Sequence, residues 1–225
     1  MIDLKNKVVF VTGSSLGIGR ETSCKFAKEG CRVVITYYKD KAEGMAVAKK
    51  CLELGASDAL VLQLNVMEDK SIKDAVKKVI DKFDKIDILI NNAGTIVWKK
   101  FKDQTYDDIE SQIRTNFIGL VKMTKECLPY VKDAIINMGS GAALDGYPEL
   151  TTYCGTKFAV RGFSQALAQE SKGIKIYVIN PGVTATRMNE FRGLPPEKVA
   201  EIILNTAKGK YNLKSGSDVN IWDYV

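Results

Sequence analysis

The chain has 225 residues, 45% of them hydrophobic, and its net charge of +6 results from 33 Lys and Arg against 27 Asp and Glu. This length and composition suit one globular domain with a sizeable core, and we predict a single domain over residues 1–225. Basic residues alternate with acidic ones along the chain, which disfavours nucleic-acid binding. Because the sequence contains no histidine, histidine-based triads and histidine metal sites are excluded, and we predict no metal site.

Cysteine usage and hydropathy indicate the compartment. The five cysteines include no C-x-x-C pair, and an odd number spread over the chain argues against a disulfide framework. No apolar run approaches the roughly 20 residues needed to span a bilayer, and the first ten residues do not resemble a signal peptide. We therefore expect a cytoplasmic protein that does not associate with a membrane.

The first predicted element is a buried strand from Lys7 to Thr12, followed by a glycine-rich turn and a helical pattern from Arg20 to Glu29. Gly13, Gly17 and Gly19 have the spacing G-x-x-x-G-x-G, which differs from the G-x-G-x-x-G dinucleotide fingerprint. Glycines let a backbone approach a pyrophosphate closely, and amides at a helix N-terminus point at the anion. A structural turn would explain any one glycine, but the three together favour a nucleotide cradle.

Two more strands follow, with a helix between them. Arg32 to Thr36 and Ala59 to Leu64 are the predicted strands, and the helical stretch runs from about Asp40 to Leu54. Strands that alternate with helices predict a parallel sheet covered on both faces, which is the doubly wound α/β class.

The end of the second strand bears on the choice of cofactor. In dinucleotide folds an acidic residue at this point holds the ribose hydroxyls and selects NAD. Here the chain reads Tyr37, Tyr38, Lys39, with no carboxylate before Asp40. This favours NADP over NAD, with Lys39 as a phosphate partner. The preference is mild, since Leu16 in the glycine turn supplies no second cation.

A fourth strand, Ile86 to Ile90, ends in the sequence Asn91 to Gly94. Asn and Gly are ordinary turn residues, so a purely structural interpretation is available. Ligands nevertheless bind at the carboxyl ends of parallel strands, which makes this turn a candidate site.

A long helix is predicted from Tyr106 to about Pro129. Asn116 falls within its apolar stripe, where a polar side chain is costly unless it is hydrogen-bonded. Two interpretations stay open: a core asparagine satisfied by the backbone, or one that opens the helix ladder for a water or holds a catalytic lysine. The stripe itself consists of Ile109, Ile113, Leu120 and Met123.

The fifth strand, Ala134 to Met138, leads to Ser140, and a helix then carries Tyr153 and Lys157. Their four-residue spacing places both on one helix face, with Cβ atoms roughly 5–6 Å apart. A nearby cation stabilises a phenolate and lowers the pKa of the phenol, so Tyr153 could act as general acid or base. Taken alone, such a pair is more typical of a solvated helix face.

The last predicted elements complete the alternation. The helix of Tyr153 continues to about Leu167, and a sixth strand runs from Ile174 to Ile179. Ser217 to Tyr224 is predicted as the last strand, at the sheet edge, with Trp222 and Tyr224 as packing or interface residues.

Together these motifs resemble the short-chain dehydrogenase/reductase family in its single-domain form. T-G-x-x-x-G-x-G is met by Thr12 to Gly19, N-N-A-G by Asn91 to Gly94, and Y-x-x-x-K by Tyr153 to Lys157. Ser140 lies 13 positions before the tyrosine, and P-G-x-x-x-T is met by Pro181 to Thr186. Each motif is modest alone, but their joint order and spacing are specific.

The resemblance implies a Rossmann-type sheet of about seven strands and an oxidoreductase that moves a hydride between NADP or NAD and a carbonyl or secondary alcohol. It implies four catalytic residues: Tyr153 exchanges the proton, Ser140 orients the substrate oxygen, Lys157 lowers the tyrosine pKa and grips the ribose, and Asn116 holds a water. The cofactor-binding residues implied are Gly13, Ser15, Leu16, Gly17, Ile18, Gly19, Tyr37, Lys39, Asn65, Val66, Asn92, Ala93, Gly94, Tyr153, Lys157, Pro181, Gly182, Val183 and Thr186.

Two positions depart from the family pattern. Asn65 stands where an aspartate more often contacts adenine, and we expect it to bond the amine through its carbonyl oxygen. After Thr186 the family usually inserts a helical lid, but here only a short flap, about residues 187–196, precedes the next helix. We therefore expect an open substrate cleft. The remaining flap side chains are Met188, Phe191 and Arg192.

Other functions on the same fold stay open. An epimerase or dehydratase would use bound cofactor without net turnover, and an idle nucleotide-sensing or scaffold protein would need no catalytic set. The resemblance also implies a homodimer or homotetramer paired through the long helices that carry Asn116 and Tyr153. The substrate itself does not follow from the sequence.

Overall fold

The computed structural model describes all 225 residues and contains one seven-stranded parallel sheet in the order β3-β2-β1-β4-β5-β6-β7. The predicted fold class is confirmed. The strands are β1 Val8–Val11, β2 Arg32–Tyr37, β3 Asp58–Gln63, β4 Ile86–Asn91, β5 Val131–Met138, β6 Lys175–Asn180 and β7 Ser217–Asn220. The helices are α1 Gly17–Lys28, α2 Lys41–Glu53, α3 Asp69–Phe83, α4 Tyr106–Ile113, α5 Leu120–Cys127, α6 Thr151–Glu170 and α7 Pro196–Ala207.

The sheet is buried on both faces because its strands are apolar on both. In β1, Val9 and Val11 face the core formed with α1, α2 and α7, whereas Val8 and Phe10 face the core formed with α3, α5 and α6. This explains why the strands read as continuous apolar runs. No helix combines the length and apolarity that crossing a membrane requires.

The chain reverses direction across the sheet between β1 and β4. β2 and β3 extend the sheet to one side of β1, and β4 begins the other side. Ligands of doubly wound folds bind at the carboxyl ends of the strands beside such a switch point. The glycine turn follows β1, and the turn Asn91 to Gly94 follows β4, so both predicted motifs lie at this crevice.

The predicted long helix from Tyr106 to about Pro129 is present, and a π-helical turn at Arg114–Gly119 lies between its two α-helical segments, α4 and α5. One extra residue in a turn rotates the following helix face by about 100°. The predicted apolar stripe is therefore split: Leu120 is buried on α5, but Ile113 on α4 is 38% exposed. A β-carbon at Gly119 would lie 2.8 Å from the Val66 carbonyl oxygen, so the π turn packs tightly against the loop after β3.

Other element bounds shift by a few residues, and one helix was not predicted. β5 begins at Val131, three residues before its predicted start, and α3 spans a stretch for which no element was predicted. The last strand ends at Asn220, and a 3-10 turn at Ile221–Asp223 replaces its predicted second half. This turn changes the surroundings of Trp222.

Candidate active site

The glycine turn after β1 has the geometry of a cradle. Gly13 and Gly17 have φ of 63° and 54°, in the left-handed region that favours glycine. A β-carbon at Gly19 would lie 2.5 Å from both the Gly13 carbonyl oxygen and Asn92 Nδ2. Helix α1 begins at Gly17, so its N-terminal amides are available to an anion. All three glycines are therefore required here, and the cradle fits a dinucleotide diphosphate.

Asn92 and Thr12 tie the two turns of the crevice together. Asn92 Nδ2 donates to the carbonyl oxygens of Thr12 (2.9 Å) and Gly13 (3.0 Å). In return, Thr12 Oγ1 accepts from the amides of Asn92 (2.9 Å) and Ala93 (3.0 Å). Asn92 and Ala93 were both predicted to bind cofactor. In this structure the Asn92 side-chain amide and the backbone amides of both residues hold the glycine turn.

Thr36 at the end of β2 is a second brace, one that the sequence analysis missed. Its Oγ1 accepts from the Gly13 amide at 2.8 Å, and its carbonyl oxygen accepts from the amides of Ser14 (3.1 Å) and Ser15 (3.2 Å). The predicted cofactor residue Ser15 therefore has no free backbone donor in this structure. A hydroxyl residue closing the second strand was the only signal for this role.

The segment that follows β2 carries an exposed cation without an acidic partner. Tyr37 packs over α2, where a β-carbon at Gly44 would lie 3.1 Å from its ring. Lys39 is exposed, makes no ion pair, and places its Nζ 5.3 Å from the centre of the Tyr38 ring. No acidic side chain pairs with its ammonium.

Asn65 uses its side chain within the chain. Its Oδ1 accepts from the Met67 amide at 3.1 Å, and its Nδ2 donates to Glu68 Oε1 at 2.7 Å. The oxygen expected to accept from an adenine amine is thus occupied locally, at the start of α3. The neighbouring Val66 is buried against Gly119.

The three predicted catalytic residues of this stretch lie together at the carboxyl end of β5. Tyr153 lies in the first turn of α6 and is partly exposed, whereas Lys157 is 6% exposed. Lys157 Nζ lies 5.5 Å from the centre of the Tyr153 ring and donates to the Met138 carbonyl oxygen at 2.7 Å. Ser140 Oγ accepts from the Ala142 amide at 3.2 Å.

Burial dominates the protonation of this cluster. It raises the pKa of Tyr153, and the Ser140 hydroxyl opposes this rise. Burial also lowers the pKa of Lys157 to about 8. Lys157, which was expected to lower the tyrosine pKa, places its ammonium 5.5 Å from the ring centre, and burial is the largest influence on the phenol. The neutral phenol is therefore the stable form of Tyr153 at neutral pH.

Asn116 lies in the π turn and links the crevice to the catalytic helix. Its Oδ1 accepts from the Thr95 amide at 2.7 Å, and its Nδ2 donates to the Thr95 carbonyl oxygen (2.8 Å) and to Thr156 Oγ1 (3.2 Å). Thr156 Oγ1 in turn donates to the Tyr153 carbonyl oxygen at 2.7 Å. The helix ladder is opened here, but the side chain is satisfied by Thr95 and Thr156 and does not bond Lys157. Neither threonine was predicted.

The turn after β6 reaches both halves of the site. The Pro181 carbonyl oxygen accepts from the Gly141 amide at 2.8 Å, beside the catalytic serine. Gly182 and Val183 are exposed, and Thr186 packs on the glycine turn, 3.2 Å from where a β-carbon of Gly17 would lie.

The flap that follows is a compact turn closed by backbone hydrogen bonds and joined to α2 by an ion pair. The amides of Ala185 and Leu194 each donate at 2.9 Å, to Leu194 and Val183 respectively, and Arg187 forms an ion pair of 2.9 Å with Glu43 of α2. The flap thus contacts the cofactor side of the site. Three of its side chains, Met188, Phe191 and Arg192, are exposed.

The chain belongs to the short-chain dehydrogenase family, whose profile, described as short chain dehydrogenase, matches residues 7–195. It is an NAD(P)-dependent enzyme of the short-chain dehydrogenase/reductase type. Among its relatives, General stress protein 39 of Bacillus subtilis (strain 168) is 34% identical over 212 residues, which cover 92% of this chain and 73% of that protein. The 3-oxoacyl-(acyl-carrier-protein) reductase FabG of Staphylococcus epidermidis is 32% identical over 189 residues, 81% of this chain and 77% of that one.

Solved structures agree on the fold. A short-chain dehydrogenase from Burkholderia cenocepacia J2315, in complex with NADP, superposes with a TM-score of 0.90 at 25% identity and 97% coverage of both chains. A dehydrogenase/reductase from Sinorhizobium meliloti 1021 gives a TM-score of 0.91 at 24% identity, with 97% of this chain and 94% of that one covered.

Proposed function

We propose that this chain, acting as a single domain, reduces a carbonyl compound to an alcohol or catalyses the reverse reaction, with Tyr153 as general acid and base. The observation that carries the proposal is the position of the Tyr153 phenol, between Ser140 and the buried Lys157 at the edge of the crevice. A carbonyl oxygen placed beside Ser140 would lie within reach of a neutral phenol.

The chain supplies the proton and the charge for this reaction. A nicotinamide dinucleotide would donate its hydride to the carbonyl carbon. Tyr153 gives its proton to the carbonyl oxygen, and the C=O double bond becomes a CH–OH group. Ser140 orients that oxygen by hydrogen bonding, and the Lys157 ammonium stabilises the phenolate that remains. Below about pH 8, Lys157 carries this charge.

The direct test combines a substrate panel with removal of the phenol. Aldehydes, ketones and alcohols are assayed with NADPH and NADH separately, and we expect turnover with at least one carbonyl compound. Tyr153→Phe should lower kcat by about 10²–10⁴-fold, which is the usual contribution of a general acid. Tyr106→Phe, which alters an exposed tyrosine on α4, is the matched control. Intact turnover in Tyr153→Phe would refute the mechanism.

We further propose NADP as the preferred cofactor, held by the glycine cradle and α1, with Lys39 binding the 2′-phosphate. The support is the unpaired, exposed ammonium at the end of β2. Lys39→Ala should weaken NADPH binding about tenfold and leave NADH binding unchanged, because only NADPH carries that phosphate. Dissociation constants from nucleotide fluorescence test this, with Lys41→Ala as the control. An equal loss for both nucleotides would contradict the assignment.

For assembly we propose a cytoplasmic homodimer or homotetramer paired through α4 and α6. Support comes from an apolar groove between these helices, lined mainly by Phe101, Ile109, Ile113, Phe117 and Ala159. Light scattering after gel filtration tests the proposal, and Ile113→Asp should release monomers.

A further inference from the structure

The C-terminal 3-10 turn places an aromatic side chain next to the catalytic serine. A β-carbon at Gly141, the residue after Ser140, would lie 3.7 and 3.8 Å from Trp222 Cζ3 and Cη2. It would lie 3.6 Å from the hydroxyl oxygen of Tyr147. Two aromatic residues from distant parts of the chain thus flank the backbone that carries the Ser140 hydroxyl.

A hydrogen-bond chain holds the C-terminal turn in this position. Asn180 Oδ1 accepts from the Ser140 amide at 3.2 Å, while Asn180 Nδ2 donates to Asn220 Oδ1 at 3.0 Å and to Asp218 Oδ1 at 3.2 Å. Asn180 is fully buried at the end of β6. One amide therefore links the catalytic serine to β7, two residues before Trp222.

Trp222 is anchored at its base and open at its face. The preceding Ile221 is 2% exposed, whereas Trp222 itself is 49% exposed. Trp222 and Tyr224 were expected to be packing or interface residues. Tyr224 packs, with its ring 4.2 Å from that of Tyr211, whereas about half of the Trp222 side chain is open. Tyr147 is similarly open, at 47% exposure.

We infer that Trp222 and Tyr147 form an aromatic wall of the substrate site and select carbonyl compounds that carry a planar apolar group, such as an aryl ring. The inference rests on the proposed function. Both rings lie beside the residue that follows Ser140 and are about half exposed, so a substrate bound at Ser140 would meet them. Aromatic rings pack favourably in offset and edge-to-face arrangements. An aryl substituent therefore gains binding energy from this wall that an alkyl group does not.

The test compares benzaldehyde with propanal as substrates. Trp222→Ala should lower the ratio of their kcat/KM values about tenfold, because the stacking surface is lost. Trp222→Phe, which keeps a ring in place, should retain most of this ratio. A ratio that is unchanged in Trp222→Ala would overturn the inference. If the oligomeric state of Trp222→Ala also shifted, the unchanged ratio would identify Trp222 as an interface residue.

A binding measurement keeps the inference testable without turnover. In a Trp98→Phe variant, Trp222 is the only tryptophan. Acetophenone added with NADP should quench its fluorescence saturably, and Tyr147→Ala in the same background should weaken that binding. Linear, unsaturable quenching would overturn the inference, because it would show that acetophenone does not bind beside Trp222. Absence of turnover with every carbonyl compound, alongside saturable quenching, would instead refute the proposed function.

Discussion

Lys157 is an ammonium enclosed by protein, and its pKa makes stability depend on pH. The folded chain releases this proton near pH 8, whereas the unfolded chain holds it until about pH 10.5. Between these values unfolding takes up a proton, so the cost of burying the charge is relieved and stability rises with pH. A shift of this size corresponds to about 3 kcal/mol.

Urea unfolding of the wild type and Lys157→Met at several pH values from 7 to 10.5 measures this effect. Between pH 7 and pH 10.5, we expect the free energy of unfolding of the wild type to increase by about 3 kcal/mol relative to that of Lys157→Met. The variant cancels the contributions of other titrating groups. Parallel pH profiles for the two proteins would show that Lys157 is not perturbed by burial.

Two helical glycines offer a matched pair of substitutions. Gly19→Ala places a methyl group 2.5 Å from the Gly13 carbonyl oxygen and from Asn92 Nδ2, and should cost about 1–3 kcal/mol of stability. Gly162→Ala in α6 meets nothing within 4 Å and should stabilise by about 0.5–1 kcal/mol, since alanine favours helix. Thermal unfolding compares them. Equal effects of the two changes would contradict the close approach at Gly19.

At the scale of elements, one ion pair joins the flap to α2. This pair, from Arg187 to Glu43, is exposed on the arginine side and is worth at most about 1 kcal/mol. Arg187→Ala should leave the midpoint of thermal unfolding nearly unchanged but weaken NADPH binding by up to about fivefold, because Thr186 then packs less firmly on the glycine turn.

Dissociation constants from nucleotide fluorescence provide the measurement. Arg192→Ala is the control, because the only acidic partner of Arg192 is Glu190, within the flap itself. Identical nucleotide affinities in both variants would show that the ion pair between Arg187 and Glu43 does not influence cofactor binding.

The sequence predicted the strands and the extent of the long helix, but not the π turn within that helix, for a physical reason. β-Branched apolar runs mark buried parallel strands locally, and the bounds of β1 to β6 were met within three residues. The π turn depends on the approach of Gly119 to Val66, which is 53 positions away, and no local pattern reports it. Likewise, Ser140, Tyr153 and Lys157 follow from a motif. Their supports Thr95, Thr156 and Asn180 act across 21 to 40 positions and could not be predicted.

At the scale of the whole molecule, every cysteine lies in the interior. All five thiols are free and buried, and burial raises the pKa of Cys31 to about 12. Because all five thiols are buried, native protein should react negligibly with a disulfide reagent such as DTNB, while the chain in guanidinium should react at all five cysteines. Rapid modification of any thiol in the native state would show an opening that the fold does not display.

The order of strands also determines when the sheet can be completed. β1 pairs with β2 after 24 residues, Val8 with Arg32, but its other edge must wait for β4, where Val9 meets Ile88. At ribosomal rates of about 5–20 residues per second, the second edge of β1 stays unpaired for on the order of ten seconds. An apolar strand edge exposed this long is a site for association between nascent chains. Yield in a heterologous host should therefore depend on chaperone supply during synthesis of the first half of the chain more than on the stability of the finished fold.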